Sequence, residues 1–510
     1  MAFFPVVCAL ALALCALTPR VQANPTLVVS FLSAAGVVLA WTAVLVWARR
    51  GGRLALAHTI QLRPQHYVQA VCQLAVYVYW GWYWRNVYDS ALLITGQLAF
   101  AYAVSALITW SRGRTWTLGF GPVPIILSIN LFLWFRDDWF YLQFLMILVG
   151  FLGKELVRWQ RDGRSVHIFN PSAFALGLFS LVLIATGTTD LTWGRDIAST
   201  LTFAPSIYAY LFVVGLVVMY AFSITLVAGT AAAVLFGLSA IAYALTGVPY
   251  FVDSEIPAAV FLGLHLLVTD PSTSPRTPAG KAVFGAMYGV GVFALYAILS
   301  ATGTPSFYDK LLCVPLLNLS VRAIDRAVRD IDRTLPRLAR ALGQGLEHVA
   351  ARRANLAHIG VWVLFFGVMS VTGRTDGMHV GDRVPFWLTA CEESRAGACD
   401  RLIQLESSYC RDNSAWACNE LGLHYADGTH VPADPGFAAG LFARACELRL
   451  QAGCLNLAKP DRRIRTHPRD LDLRLLTREA GLNRLDDSAG DLAARACRHG
   501  WAFACSGQRS

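Results

Sequence analysis

Between Tyr67 and Val321 the chain alternates ten apolar, helix-length segments with short polar connections, and this alternation constrains the fold more than any other feature. A hydrocarbon core about 30 Å thick takes about 20 helical residues to cross. Inside it every backbone amide and carbonyl must be satisfied within the segment or by a closed barrel. The spans fall at about 66–84, 89–110, 117–135, 139–157, 168–186, 206–227, 229–247, 255–269, 281–300 and 308–321. Two more flank them, at 26–48 and 355–372. The run 206–247 is too long for one crossing and is divided at Ala228-Gly229. With 55% hydrophobic and 15% charged residues, a chain of 510 has too little polar surface to cover itself in water. The lipid bilayer is therefore its first partner, and the fold class is all-α, a polytopic helical bundle.

Basic residues set the orientation. The connections 49–63, 112–114, 154–164, 276–281 and 322–353 are rich in Arg and Lys, whereas the alternate ones hold only Arg85, Arg136, Arg195 and Lys310. The positive-inside rule puts the first set in the cytoplasm. The net charge of +10 is thus spread over loops rather than gathered on one face, which argues against a nucleic-acid partner. Trp80, Trp82, Trp84, Trp134 and Trp139 stand near the outer helix ends and read as an interfacial belt. The protein is expected to be integral to the cell (inner) membrane, multi-pass, with its C-terminal tail extracytoplasmic.

The remaining segments follow from this frame. Residues 1–23 read as a cleaved signal peptide, with Val21-Gln22-Ala23 as a small-residue site, or as a retained membrane helix; no basic residue precedes the apolar run. Residues 24–65 hold an extra crossing and a cytoplasmic loop. Residues 326–354 form a basic amphipathic connector, interrupted at Pro336, that suits the inner membrane surface. The helix 355–372 carries the chain out, and 385–510 form the tail.

Eight of the twelve cysteines lie in that tail, in pairs eight apart: Cys391 and Cys399, Cys410 and Cys418, Cys446 and Cys454, Cys497 and Cys505. An oxidising exterior is where disulfides persist. On one continuous helix, eight residues span about 12 Å, too far for a bridge. Each pair, if bridged, must therefore span a turn between two antiparallel helices. Zinc is the competing reading, weakened because ligand pairs usually stand closer and no His recurs in phase.

Cys410 to Cys446 and Cys418 to Cys454 are equal steps of helical-repeat length. The run Ala417-Cys418-Asn419-Glu420-Leu421-Gly422-Leu423-His424-Tyr425, followed by Gly428, Asp434, Ala439, Phe442, Ala445 and Cys446, resembles a Sel1-like repeat of the tetratricopeptide class. That resemblance implies an extracytoplasmic protein partner rather than catalysis. A small stapled cap that binds nothing is the plainer alternative.

Two motifs punctuate the membrane part: His167-Ile168-Phe169-Asn170-Pro171-Ser172-Ala173-Phe174 and Thr269-Asp270-Pro271-Ser272-Thr273-Ser274-Pro275. Taken singly they are a helix cap and a helix stop. Asn170 can cap exposed amides before Pro171 at the first helical position, and Asp270-Pro271 ends a helix in a Ser/Thr-rich turn. His265, inside the span 255–269, is an ionisable group in hydrocarbon and thus a functional candidate. A packed histidine bonded to a backbone carbonyl is the bland alternative.

Together with Arg276-Thr277-Pro278-Ala279-Gly280-Lys281 and Pro315-Leu316-Leu317-Asn318 before Ile324-Asp325-Arg326, these motifs make residues 66–325 resemble a family of membrane electron-transport components. It is the family of the RnfD component of the Rnf electron-transport complex and the NqrB component of the sodium-translocating NADH:quinone reductase. The resemblance implies a ten-helix NqrB/RnfD-like core, other membrane electron-transport subunits as partners, and a flavin or quinone near His167, Asn170, His265, Thr269 and Asp270. Flavin-bearing members attach FMN through a threonine in an external Asp-Gly-x-Ser/Thr-x-Ala-Thr motif. The matching stretch here, Asp196-Ile197-Ala198-Ser199-Thr200-Leu201-Thr202, lacks the glycine and the closing Ala-Thr, so a noncovalent flavin or quinone is expected and covalent FMN is not. The spelling around Asn170 looks closest to the flavinless, UnbU-like branch found alongside enediyne biosynthesis, which opens a non-redox reading as transporter or scaffold. No catalytic residue and no metal site is expected, and any enzymatic part is that of an electron-carrying subunit.

Overall fold

The computed structural model describes residues 3–48, 57–161, 163–204, 206–251, 254–334, 351–372, 375, 379–382, 384–411, 413–459, 461 and 463–465. Most of the connector 326–354 lies outside the described residues. The chain is predominantly helical and divides into two compact units, residues 1–236 with 258–368, and residues 237–257 with 369–510.

The first unit contains helices α1 (Phe4–Ala16), α2 (Pro25–Ala48), α3 (Pro64–Tyr83), α4 (Ala91–Ser111), α5 (Pro122–Asn130), α6 (Tyr141–Leu156), α7 (Pro171–Ala185), α8 (Ile207–Phe222), most of α9 (Thr225–Thr246), α10 (Ala258–Leu266), α11 (Pro278–Ala301), α12 (Asp309–Thr334) and most of α13 (Ala351–Val371). Among the described residues five helices are long and apolar enough to cross a membrane: α2, α4, α9, α11 and the stretch Arg353–Val371 of α13. Helix α1, within the expected signal or anchor segment, packs against α2 and α4, burying Cys8, Ala9, Leu12 and Ala16. Just beyond it Arg20 forms a two-pronged ion pair with Asp137.

Two expectations about the spans need correction. The segment 117–135 is helical only over Pro122–Asn130; Leu131 and Phe132 form a turn, and the buried, non-helical residues Leu133 to Phe135 follow. Polar side chains satisfy the break. Asn130 bonds Gln97 and the Ile126 carbonyl, and Gln143 accepts the Phe135 amide. The long run 206–247 divides at Ser223 rather than at Ala228-Gly229. There Asn355 of α13 donates to the Met219 carbonyl, while its side-chain oxygen accepts from Thr225, so one amide holds the end of α8 and the start of α9. The tryptophans also divide. Trp82 and Trp139 are exposed as a belt requires, but Trp80 and Trp134 are buried, each packed on Trp84.

The few strands are short. β1 (His58–Ile60) pairs in parallel with β2 (Trp116–Leu118), and β3 (Arg158–Arg161) makes an antiparallel hairpin with β4 (Arg164–His167). That second hairpin delivers Arg161 and His167 to the junction described below.

The second unit holds α14 (Val384–Glu392), α15 (Ala398–Arg411), α16 (Ala415–Asp427), α17 (Pro435–Glu447) and α18 (Gln451–Ala458). Three of the four expected bridges are present among the described residues. Cys391–Cys399, Cys410–Cys418 and Cys446–Cys454 are disulfides, each linking the end of one helix to the start of the next with Cα atoms 4.5–4.6 Å apart. The fourth expected bridge, between Cys497 and Cys505, lies outside the described residues.

The three turns are built alike. The third residue after the first cysteine, Ser394, Asn413 or Arg449, sits in the left-handed region. Its amide bonds the carbonyl of that cysteine, and the following amide reaches one residue further back. This is the double hydrogen bond of a Schellman helix end. Small residues, Ala398, Ala417 and Gly453, precede the second cysteine and let the helices approach; a Cβ on Gly453 would lie 2.5 Å from that of Ala445. The segment 237–257 joins this unit through Val248 in its core and through Arg395 and Arg401, which donate to the carbonyls of Gly247 and Tyr250.

Candidate functional site

The two motifs, far apart in sequence, meet in one hydrogen-bonded junction. Asn170 begins α7, its side-chain oxygen accepting the amides of Ser172 and Ala173. Its side-chain amide donates to the carbonyl of Leu267, just past α10, and its backbone amide is received by Asn318 of α12. Asn318 in turn donates to the carbonyl of Thr273, in the α10–α11 loop. A cap residue thus ties three elements together, which explains why the position asks for an amide and not merely a hydroxyl.

Asp270 organises the loop itself. One carboxylate oxygen accepts the amide and hydroxyl of Ser272, and its backbone carbonyl receives the hydroxyl of Ser274. His167, brought in by β4, lies 3.1 Å from the Ser272 hydroxyl and 3.9 Å from the Asp270 carboxylate. Beneath it Arg161 donates both guanidinium arms to the Ser274 carbonyl and one to Asp325, a buried ion pair at 2.8 Å. Thr269, by contrast, spends its hydroxyl on the His265 carbonyl of its own turn.

His265 differs from the rest. Its Nδ1 lies 2.7 Å from the carbonyl of Phe261, one turn earlier; a carbonyl only accepts, so Nδ1 carries the hydrogen. Its Nε2 is fully buried and has no hydrogen-bond partner. The ring packs between Phe261 and Trp362, and it passes so close to α8 that a Cβ on Gly215 would sit 1.8 Å from it. An unsatisfied acceptor in apolar surroundings costs about 1–3 kcal/mol. It leaves room in its valence for one hydrogen-bond donor. Sequence reading found this residue but not the glycine that admits it. Nor could it find the Arg161–Asp325 pair, whose partners stand 164 residues apart.

The loop expected to face any covalent flavin offers a poorer fit. Thr200 is buried and accepts the indole N–H of Trp80, and Thr202 donates to the Ser199 carbonyl.

Comparison with known proteins gives no matching family model, no matching curated relative and no matching solved structure.

Proposed function

We propose that this protein is a membrane subunit of an electron-transport or ion-translocating assembly of the RnfD/NqrB type, working without covalent FMN. The observation that carries this reading is the junction. The stretches on which the family resemblance rests, around Asn170, Asp270, Asn318 and Asp325, converge on one another through direct hydrogen bonds. A chance likeness of separate caps and stops gives no reason for that convergence. Next to the junction, on α10, His265 offers a buried, unpartnered acceptor that a noncovalent quinol or reduced flavin could occupy. When bound, such a group would supply the redox chemistry; His265 would hold it and receive a proton at Nε2, and the apolar shell of Phe261 and Trp362 would exclude water.

On this reading ten crossings form the core, the Arg-rich connections face the cytoplasm and the tail faces outward. The tail's construction supports that placement: Arg395 and Arg401 fasten it to the connection after α9, which the charge rule puts outside. The repeat-like helices would then meet an extracytoplasmic protein, and the bundle the other membrane subunits.

A second reading has its own support. Asn170, Asn318 and Asp270 use their hydrogen-bonding capacity on the protein itself, so the junction could persist as architecture in a non-redox, UnbU-like transporter or scaffold. Purified protein in detergent separates the two. Solvent extraction and chromatography should recover flavin or quinone in about one copy per chain, lost in His265→Phe while the far-ultraviolet spectrum stays helical. A folded protein that carries neither overturns the redox reading and leaves the second.

A further inference from the structure

The three staples of the tail share a backbone plan, but one has different company. His430 places Nε2 3.3 Å from the Sγ of Cys391. A sulfur in a disulfide carries no hydrogen, so the imidazole N–H is the donor. Among the described residues no histidine bonds the Cys410–Cys418 or Cys446–Cys454 bridge. Among the described residues His430 is also one of six non-glycine residues with positive φ, at 65°. Three of the others, Ser394, Asn413 and Arg449, are explained by the shared turn. His430 has no such reason, and backbone strain held at a surface residue that aims a ring at sulfur is a mark of function.

Burial assigns the two sulfurs different parts. Cys391 is buried at 6% exposure, whereas Cys399 is partly open. An incoming thiolate therefore reaches Cys399, and the sulfur that must leave is the one facing His430. We propose that Cys391–Cys399 is an exchangeable disulfide with His430 as its general acid, and that the tail oxidises dithiols of extracytoplasmic peptides. In the first step a peptide thiolate attacks Sγ of Cys399 and forms a mixed disulfide. The Cys391–Cys399 bond breaks, and Cys391 departs as a thiolate that takes the Nε2 proton of the His430 imidazolium, leaving a neutral imidazole. In the second step the peptide's other thiolate attacks its own bridged sulfur, releasing the oxidised peptide and the Cys399 thiolate. Two electrons pass from the peptide dithiol to the Cys391–Cys399 pair; the peptide's two protons go to solvent as its thiolates form, one proton reaches Cys391 from His430, and solvent returns one each to Cys399 and His430.

Two more ionisable groups stand behind the ring. His424 lies 5.6 Å from His430 between ring centres, and its own Nε2 is 3.5 Å from a carboxylate oxygen of Glu406. Both Glu406 oxygens are buried without a hydrogen-bond partner. Burial, with repulsion from Glu420, pushes the Glu406 carboxyl well up. This inference stands on the tail alone and does not depend on redox chemistry in the bundle.

The test uses full-length protein in detergent with reduced glutathione as the attacking thiol, quenched by a mass-tagged maleimide and mapped by peptide. Cys391–Cys399 should open at least about tenfold faster than the other two bridges, with glutathione on Cys399. His430→Asn tolerates the same backbone region but lacks the ring; it should slow that opening by about tenfold or more and leave the other two rates unchanged. Those two bridges report whether the variant is folded, and His430→Gly, which removes the strain, should behave as His430→Asn does. Equal rates at the three bridges, glutathione on Cys391, or an unchanged rate in both variants would overturn the proposal.

Discussion

Replacing Glu406 with Gln should change the shape of the tail's pH–stability profile, and the structure fixes how. In the folded tail burial and Glu420 hold the Glu406 carboxyl well above its ordinary 4.5, with Arg465 opposing. Burial and Arg465 hold His424 down to about 4 from 6.5. Between these ordinary values the unfolded chain has its proton on His424 and the folded chain has it on Glu406. Equal proton numbers mean a flat profile there. Above pH 6.5 the unfolded His424 has lost its proton, and wherever the raised Glu406 carboxyl still carries one the folded chain binds more. Stability then falls as pH rises, by about 1.4 kcal/mol per pH unit, until Glu406 ionises. Below pH 4.5 the unfolded chain binds the extra proton, and stability falls with pH until His424 titrates at about 4.

Glu406→Gln leaves only the His424 contribution, which is complete above pH 6.5 and lost as pH drops toward 4. The variant should therefore slope where the wild type is flat, and be flat where the wild type slopes. Hydrogen exchange of peptides from α15 and α16 in the intact protein, corrected for intrinsic rates, reads this directly. A wild-type profile level above pH 6.5, or a variant profile that coincides with it, would refute the assignment of the proton to Glu406.

Two further perturbations test the packing. Gly215→Ala must drive its Cβ into the His265 ring, 1.8 Å away, with Phe261 and Trp362 behind it; thermal unfolding in detergent should show a loss of about 1–3 kcal/mol. Replacing both Cys446 and Cys454 with Ala removes a closed loop spanning eight residues, and denaturant unfolding of the tail should report a loss of about 2.5 kcal/mol, with the other two bridges intact by mass spectrometry.

Much of this protein was legible one segment at a time. Apolar length predicted the helices, and most boundaries fall within a few residues of the expected spans, because hydrocarbon leaves the backbone few alternatives. The cysteine spacing predicted bridges across helix–helix turns, and three pairs take that form. For the fourth pair, Cys497 with Cys505, the expectation rests on sequence alone, since Cys505 and its partner fall outside the described residues. Gly500 stands three residues after Cys497, at the place that Ser394, Asn413 and Arg449 hold in the other three sequences. The misplaced boundaries both meet amide side chains from other helices: Gln143 accepts the Phe135 amide beyond α5, and Asn355 adds a second donor to the Met219 carbonyl, which already accepts the Ser223 amide at the end of α8.

The sequence by itself therefore determined the helical content, the apolar spans and the stapled turns, since each depends on residues within about one helix length of one another. Only the tertiary structure decided what Asn170 and Asp270 hold together, that Arg161 pairs with Asp325, that Gly215 makes room for His265, and that His430 faces a disulfide. Those are meetings of residues distant along the chain. Hydrophobic periodicity carries no information about which polar groups come to share a buried volume, because any donor and acceptor can be satisfied by many partners until packing leaves one within reach.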